Sequence, residues 1–168
     1  MKAKTLDLDA TDLQILDLLQ SQGTLSSNEV AERLGLTQST AWRRIAALEQ
    51  SGAIRGRVAL LDRGRLGLGV MVYVMVKLAH QDRKQVDAFR KAAIALPEVM
   101  QCHMLMGDID FLLVTITADI EAYRRLLRES LSKLPGVTGL DSRLVLEEAK
   151  DTTVLPLQQL ADDRDDAG

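Results

Sequence analysis

Three groups of residues in this 168-residue chain have types and spacings that could do chemistry. The first is a run of arginines. Arg33, Arg43, Arg44, Arg55, Arg57, Arg63 and Arg65 face only Glu49 and Asp62 between positions 33 and 65, a local net charge of +5 in a chain whose total is −3. Clustered guanidinium groups suit phosphate oxygens, and a solvated charged face is the other reading of the same cluster. The second group is the tight sequence Gly107-Asp108-Ile109-Asp110. Its carboxylates suit an ammonium group and its free backbone N–H groups a carboxylate, as in a zwitterion. Gly and Asp are also favoured in turns for purely conformational reasons. The third is Cys102 beside His103, which as strand neighbours point to opposite faces and form no nucleophile–base pair with each other. Cys102 reads as a core residue and His103 as a surface or interface residue. His80 has no ligand companions at a metal-binding spacing, and Asp108 with Asp110 is a thin set of ligands for a metal. Neither a catalytic set, a metal nor a cofactor is expected.

The arginines must be carried by the elements of the first half. Leu13, Ile15, Leu16 and Leu19 recur at helical spacing after an Asp9…Asp12 start signal, and Gly23 is expected to end that helix. Ser26 and Glu29 form an S-x-x-E capping box ahead of Val30, Ala31 and Leu34, and Gly35 stops the second helix after about two turns. Thr37 then caps a third helix with the apolar stripe Ala41, Ile45, Leu48 before Gly52. Two short helices joined by Gly35-Leu36-Thr37 must cross steeply, which is the helix-turn-helix unit. At 100° per residue, Ser39 and Arg43 lie opposite the buried stripe, with Gln38 and Trp42 on one flank and Thr40 and Arg44 on the other. The N-terminal, outward residues of such a helix read base edges in the major groove: Arg pairs with guanine, Gln with adenine. The candidate DNA contacts are therefore Thr37, Gln38, Ser39, Thr40, Trp42, Arg43 and Arg44. Arg44, nearer the packed side, holds either a phosphate or an internal carboxylate. Trp42 either packs on the domain's flank or touches DNA. Residues 53–62 are expected to form a wing-like hairpin or connecting strand that adds Arg55 and Arg57, and Arg63 to Gly69 a glycine-punctuated hinge.

The second half is read as strand Val70–Leu78, helix Asp82–Leu96, strand Val99–Met106, strand Phe111–Thr117, helix Asp119–Leu134 and strand Val137–Leu146. This βαββαβ order is the ferredoxin-like arrangement, so the whole is an α+β chain. Its helices cover one sheet face. The first strand is apolar on both faces, so the second face is expected to be buried by self-association.

Composition narrows the function classes. Aromatic residues make up 3% of the chain and hydrophobic residues 46%, which excludes a platform that stacks single-stranded bases and implies an aliphatic core. One cysteine excludes a disulfide framework. No apolar run reaches the roughly 18 residues that a membrane span needs, so a cytoplasmic chain without a membrane partner is expected. Residues 1–65 carry +1 and residues 66–168 carry −4, so the overall negative charge averages an arginine-rich reader with an acidic partner domain.

The stretches LDATDLQILDLLQSQG, SSNEVAERLGLTQSTAWRRIAALEQSGAIRG and VALLDRGRLGLG, followed by PEVMQCHMLMGDIDFLLVTITADIEAYRRLL, LPGV and KDTTVLPL, resemble the Lrp/AsnC family of transcription regulators over residues 6–157. Many members open the recognition helix with Ser-Pro, where this chain has Thr37-Gln38. The resemblance implies a winged helix-turn-helix domain over 6–55, a linker over 56–69, a ferredoxin-like ligand-binding and assembly domain over 70–157, and an acidic tail over 158–168. It implies double-stranded DNA as partner and a homodimer that assembles further, often to an octamer. It also implies a small effector, usually an amino acid, bound between subunits near the Gly-Asp-x-Asp turn. Met106, Gly107, Asp108 and Asp110 fall in that effector region, with Arg143, Leu144, Val145, Thr152 and Thr153 as weaker members. A DNA-architectural protein that needs no ligand is the alternative.

Overall fold

In the computed structural model, which describes residues 6–160, the chain divides into two units: residues 6–60 with 150–160, and residues 61–149. Asp9 starts helix α1 (Ala10–Ser21), its carboxylate accepting the Asp12 N–H while the Asp12 carboxylate accepts the Asp9 N–H. Ser26 and Glu29 make the same reciprocal box at the start of α2 (Ser27–Leu34). Gly35 sits at φ 64°, the left-handed region, and the Leu36 N–H reaches back to the Ala31 carbonyl at 2.9 Å. This αL stop ends α2 within one residue and turns the chain into Thr37, whose hydroxyl caps α3 (Gln38–Gln50). Ile15, Leu19, Leu25, Val30, Ala31, Ala41, Ile45 and Leu48 form the core of this unit. The first helix ends where Gln22 leaves helical geometry, at φ −138° and ψ 75°, directly ahead of Gly23, as expected.

The expected hairpin over 53–62 does not form. Residues 55–62 carry no strand, and Val58, Leu60 and Leu61 are all exposed. The chain offers no return strand, because residues 62–68 instead coil into a turn: the Leu66 N–H bonds to Asp62 O and the Leu68 N–H to Arg63 O. Residues 150–160 group with the helical unit, whereas the expected second domain runs to 157. The Gln20 side-chain amide on α1 holds them there, accepting the Leu155 N–H at 2.8 Å and donating to the Leu155 carbonyl at 3.0 Å. Of the expected acidic tail, residues 161–168 lie outside the described residues.

The second unit runs β1 (Val70–Leu78), α4 (Arg83–Ala93), β2 (Val99–Met104), β3 (Phe111–Thr117), α5 (Ile120–Glu129) and β4 (Val137–Leu144). The strands form one antiparallel sheet in the order β2-β3-β1-β4, the ferredoxin-like arrangement. Val72, Val74, Val76 and Leu78 from β1, Phe111 and Leu113 from β3, and Val86, Phe89, Tyr123 and Leu126 from the helices fill the space between sheet and helices. Phe89 and Phe111 stack tilted at 4.6 Å between centroids. Helix α5 ends five residues before the expected Leu134. A 3-10 turn over Leu131–Lys133 replaces its last turn and still buries Leu131 and Leu134. Ile120, the first residue of α5, is exposed. Helix α4 also stops early, at Ala93, and β2 and β4 each end two residues short, leaving Met106 and Leu146 exposed.

Within one chain strand β1 alternates, with Val72, Val74, Val76 and Leu78 buried toward the helices. Its odd positions Met71, Tyr73 and Met75 lie on the helix-free face, in register with Ile116, Val114 and Leu112 of β3. That face is largely apolar: Tyr73 is exposed, Met71, Met75, Leu112 and Ile116 are half-buried, and Val114 is buried.

Candidate functional site

Helix α3 carries the first site. Its buried stripe Ala41-Ile45-Leu48 turns Gln38, Ser39 and Arg43 outward, and all three are exposed. Thr37 and Thr40 are tied to each other at the helix start, Thr37 Oγ1 donating to Thr40 Oγ1 at 2.8 Å. Trp42 stands out at 64% exposure on the Gln38 flank.

The seven arginines are not equivalent. Arg44 Nη1 donates to Asp9 at 2.7 Å and to Asp12 at 2.8 Å, so the internal-carboxylate reading holds and the guanidinium ties α3 to the start of α1. The hydrogen bond from the Asp12 N–H, with Arg44 adding to it, holds the Asp9 carboxyl below the usual carboxylate range. The same two carboxylates stabilise the cation of Arg44. Arg57 is likewise turned inward, donating to the Leu25 carbonyl at 2.9 Å and lying 3.4 Å from Glu49. Arg33 bonds Gln22, Arg65 pairs with Asp62, and Arg63 bonds the Gly69 carbonyl and Glu148. Among the described residues, Arg43 and Arg55 alone of the seven have no hydrogen bond or ion pair. The sequence shows the cluster; only the fold separates two free cations from five occupied ones.

The second site is the turn between β2 and β3. Gly107 adopts φ 133°, a conformation that side chains rarely take, and Met106 beside it is fully exposed. Asp110 is 5% exposed and its carboxylate accepts the Leu78 N–H at 2.7 Å and the Gln81 side-chain amide at 2.6 Å. Its acceptor capacity is thus directed at the end of β1, and the Asp108 carbonyl accepts from Lys77 Nζ at 2.6 Å. A surface cavity of about 270 Å³ lies beside this turn, lined by Met75, Val76, Lys77, Ile109, Gly139, Leu140 and Asp141. Lys77 and Gln81 are members of this neighbourhood that sequence reasoning missed. Lys77 had a legible signal, being the one charged residue of the apolar strand Val70–Leu78.

The weaker candidates are dispersed. Arg143 and Leu144 pair with Tyr73 and Val72, and the Val145 N–H bonds the Met71 carbonyl, whereas the turn docks at Val76 and Leu78. Four residues of strand, about 13 Å, separate the two groups within one chain. Arg143 is paired with Asp141 at 3.1 Å. Thr152 and Thr153 are exposed and belong to the helical unit. Cys102 packs partly against the core, where burial pushes its thiol up, and His103 is exposed beside Gln101. No metal-binding cluster occurs among the described residues, and no described helix is long and apolar enough to cross a membrane.

Comparison with known proteins agrees with both units. Residues 8–55 match the winged helix-turn-helix DNA-binding model and residues 71–155 the Lrp/AsnC ligand binding domain. A glutamate uptake regulatory protein of Zymomonas mobilis is 39% identical over 155 residues, covering 92% of this chain and 94% of that protein. The leucine-responsive regulatory protein of Escherichia coli is 37% identical over 152 residues, covering 90% and 93%. A transcriptional regulator of Neisseria meningitidis, solved as an L-methionine complex, superposes with a TM-score of 0.86 at 35% identity over 91% of this chain and 99% of that one. The chain belongs to the Lrp/AsnC family of DNA-binding transcription regulators.

Proposed function

We propose that this regulator reads double-stranded DNA with the exposed face of α3 and that an amino acid bound at its second unit alters its assembly or DNA affinity. Gln38, Ser39 and Arg43 face base edges, Arg43 as the guanine reader, while Arg55 contacts phosphate. Two copies pack through the apolar sheet face of Met71, Tyr73, Met75, Leu112 and Ile116, presenting two recognition helices to a pseudo-palindromic site; the dimers assemble further, to an octamer. The effector lies at the Met106–Asp110 turn, in contact with more than one chain. It shifts the population of assemblies and hence promoter occupancy. The protein acts in the cytoplasm and performs no catalysis.

The observation that carries the effector reading is the 35% identical regulator solved with L-methionine, which matches 91% of this chain. The backbone of the exposed Gly107 turn and the Lys77-rimmed cavity beside it support the same place. A calorimetric screen of the twenty amino acids, with gel shifts on promoter DNA in parallel, tests it. Binding of one amino acid with a matching shift in DNA affinity or stoichiometry is expected. DNA binding with no response to any amino acid would instead favour a ligand-independent architectural protein.

A further inference from the structure

Trp42 is the chain's one tryptophan, and it contributes nothing to the core of its unit. It sits on α3 one turn after Gln38 and directly before Arg43, 64% exposed, and makes no ring contact among the described residues. An exposed indole on the helix that carries the outward Gln38 and Arg43 is placed to meet an apolar group of whatever docks on that face. The surroundings say which partner. Gln38 and Arg43 beside it are exposed, the Arg43 guanidinium is unengaged among the described residues, and the stretch lies inside the segment that matches a DNA-binding model. A major groove presents donors and acceptors at every base pair but only one large apolar mark, the C5-methyl of thymine.

We propose that Trp42 is a specificity-determining residue that reads a thymine methyl in each half-site. Gln38 and Arg43 supply the polar part of the code, and the indole supplies the apolar part. This rests on the reading of α3 as the DNA-recognition helix, which salt-dependent binding of the selected duplex by the Trp42→Ala protein tests separately, and does not depend on the effector or on its binding place.

The test uses the full chain. Duplexes selected from a randomised pool by the wild type are compared with those selected by Trp42→Ala and Trp42→Phe. Each thymine of the wild-type site is then replaced in turn by uracil, which removes only the methyl. One such replacement per half-site is expected to weaken wild-type binding about tenfold, the usual scale of a lost base contact. Trp42→Ala is expected to bind the thymine duplex about tenfold more weakly, to be indifferent to uracil at that position, and to keep the wild-type salt slope. Trp42→Phe retains the discrimination. The single indole's emission should shift to the blue and become shielded from acrylamide when the selected duplex is added. Wild-type affinity unchanged by every uracil, or a Trp42→Ala protein that still discriminates thymine from uracil, overturns the proposal. So does uniform weakening on all duplexes, or shielding of the indole that appears on self-association without DNA.

Discussion

Replacing Asp110 separates holding the turn from binding a ligand at it. The Asp110 carboxylate is 5% exposed and takes two short bonds, from the Leu78 N–H at 2.7 Å and the Gln81 amide at 2.6 Å, with Lys77 Nζ at 3.8 Å. Asp110→Ala leaves the Leu78 N–H in a buried position without a partner and frees the Gln81 side chain. An orphaned buried donor costs about 1–3 kcal/mol and a lost bond to a charged group adds to it, so about 2–4 kcal/mol in total is expected. In a unit spanning residues 61–149, each kcal/mol lowers Tm by roughly 4–8 °C, which puts the Asp110→Ala unit roughly 8–32 °C below wild type. Asp110→Asn keeps an oxygen for the Leu78 N–H and replaces the second acceptor by an amide N–H, which the Gln81 side chain can accept by turning its own oxygen toward it, so it should cost about 1 kcal/mol. Circular dichroism melts of the three proteins, with hydrogen exchange at the Leu78 amide, measure this. Asp110→Ala within 1 kcal/mol of wild type, or Asn as damaging as Ala, would refute the reasoning. The Asn variant is then the one to carry into effector titrations, where loss of the amino-acid response with DNA binding intact is expected.

Other outcomes follow from the same geometry. Arg43→Ala should cost about 1–3 kcal/mol at a selected operator and relax preference at one base, read by competition gel shifts. Arg44→Ala should lower the stability of the helical unit by about 1 kcal/mol through loss of the Asp9 and Asp12 bonds, while the salt slope of DNA binding stays at the wild-type value. Asp9 is held down chiefly by the Asp12 N–H and Glu29 by the Ser26 N–H, from ordinary values of 3.8 and 4.5. Carboxyls depressed by folding add stability that is complete above those values and is lost as pH falls through the lower folded ones. Helical melts should therefore be flat above about pH 5 and fall in more acid solution, less steeply in an Asp9→Asn, Glu29→Gln protein. Tyr73→Glu, on the apolar sheet face away from the helices, should shift the sedimentation profile toward the monomer and make the melting temperature of the second unit independent of protein concentration.

Local signals in the sequence settled where the elements are and what kind they are. The Asp9…Asp12 and Ser26…Glu29 boxes, the Gly35 stop and the Ala41-Ile45-Leu48 stripe act over three or four residues, so they are legible without knowing the fold. The same is true of β3, whose bounds match the expectation residue for residue. Partner choice across the chain was not legible. Seven arginines look alike in sequence, yet five are occupied by Gln22, Asp9 and Asp12, the Leu25 carbonyl, Glu148 and Asp62, residues up to 85 positions away. Asp110 looked like a ligand for an ammonium and is first a buried acceptor for the end of β1, because the β3–β1 register brings it to Leu78. The strand expected over 53–62 is absent for the same reason: an extended apolar segment becomes a strand only when another backbone offers it hydrogen bonds, and among the described residues none does. Spacing along the chain fixes which face a side chain shows, whereas tertiary structure decides whether that face is already taken, since charges and backbone groups pair with whatever the fold brings within about 3 Å.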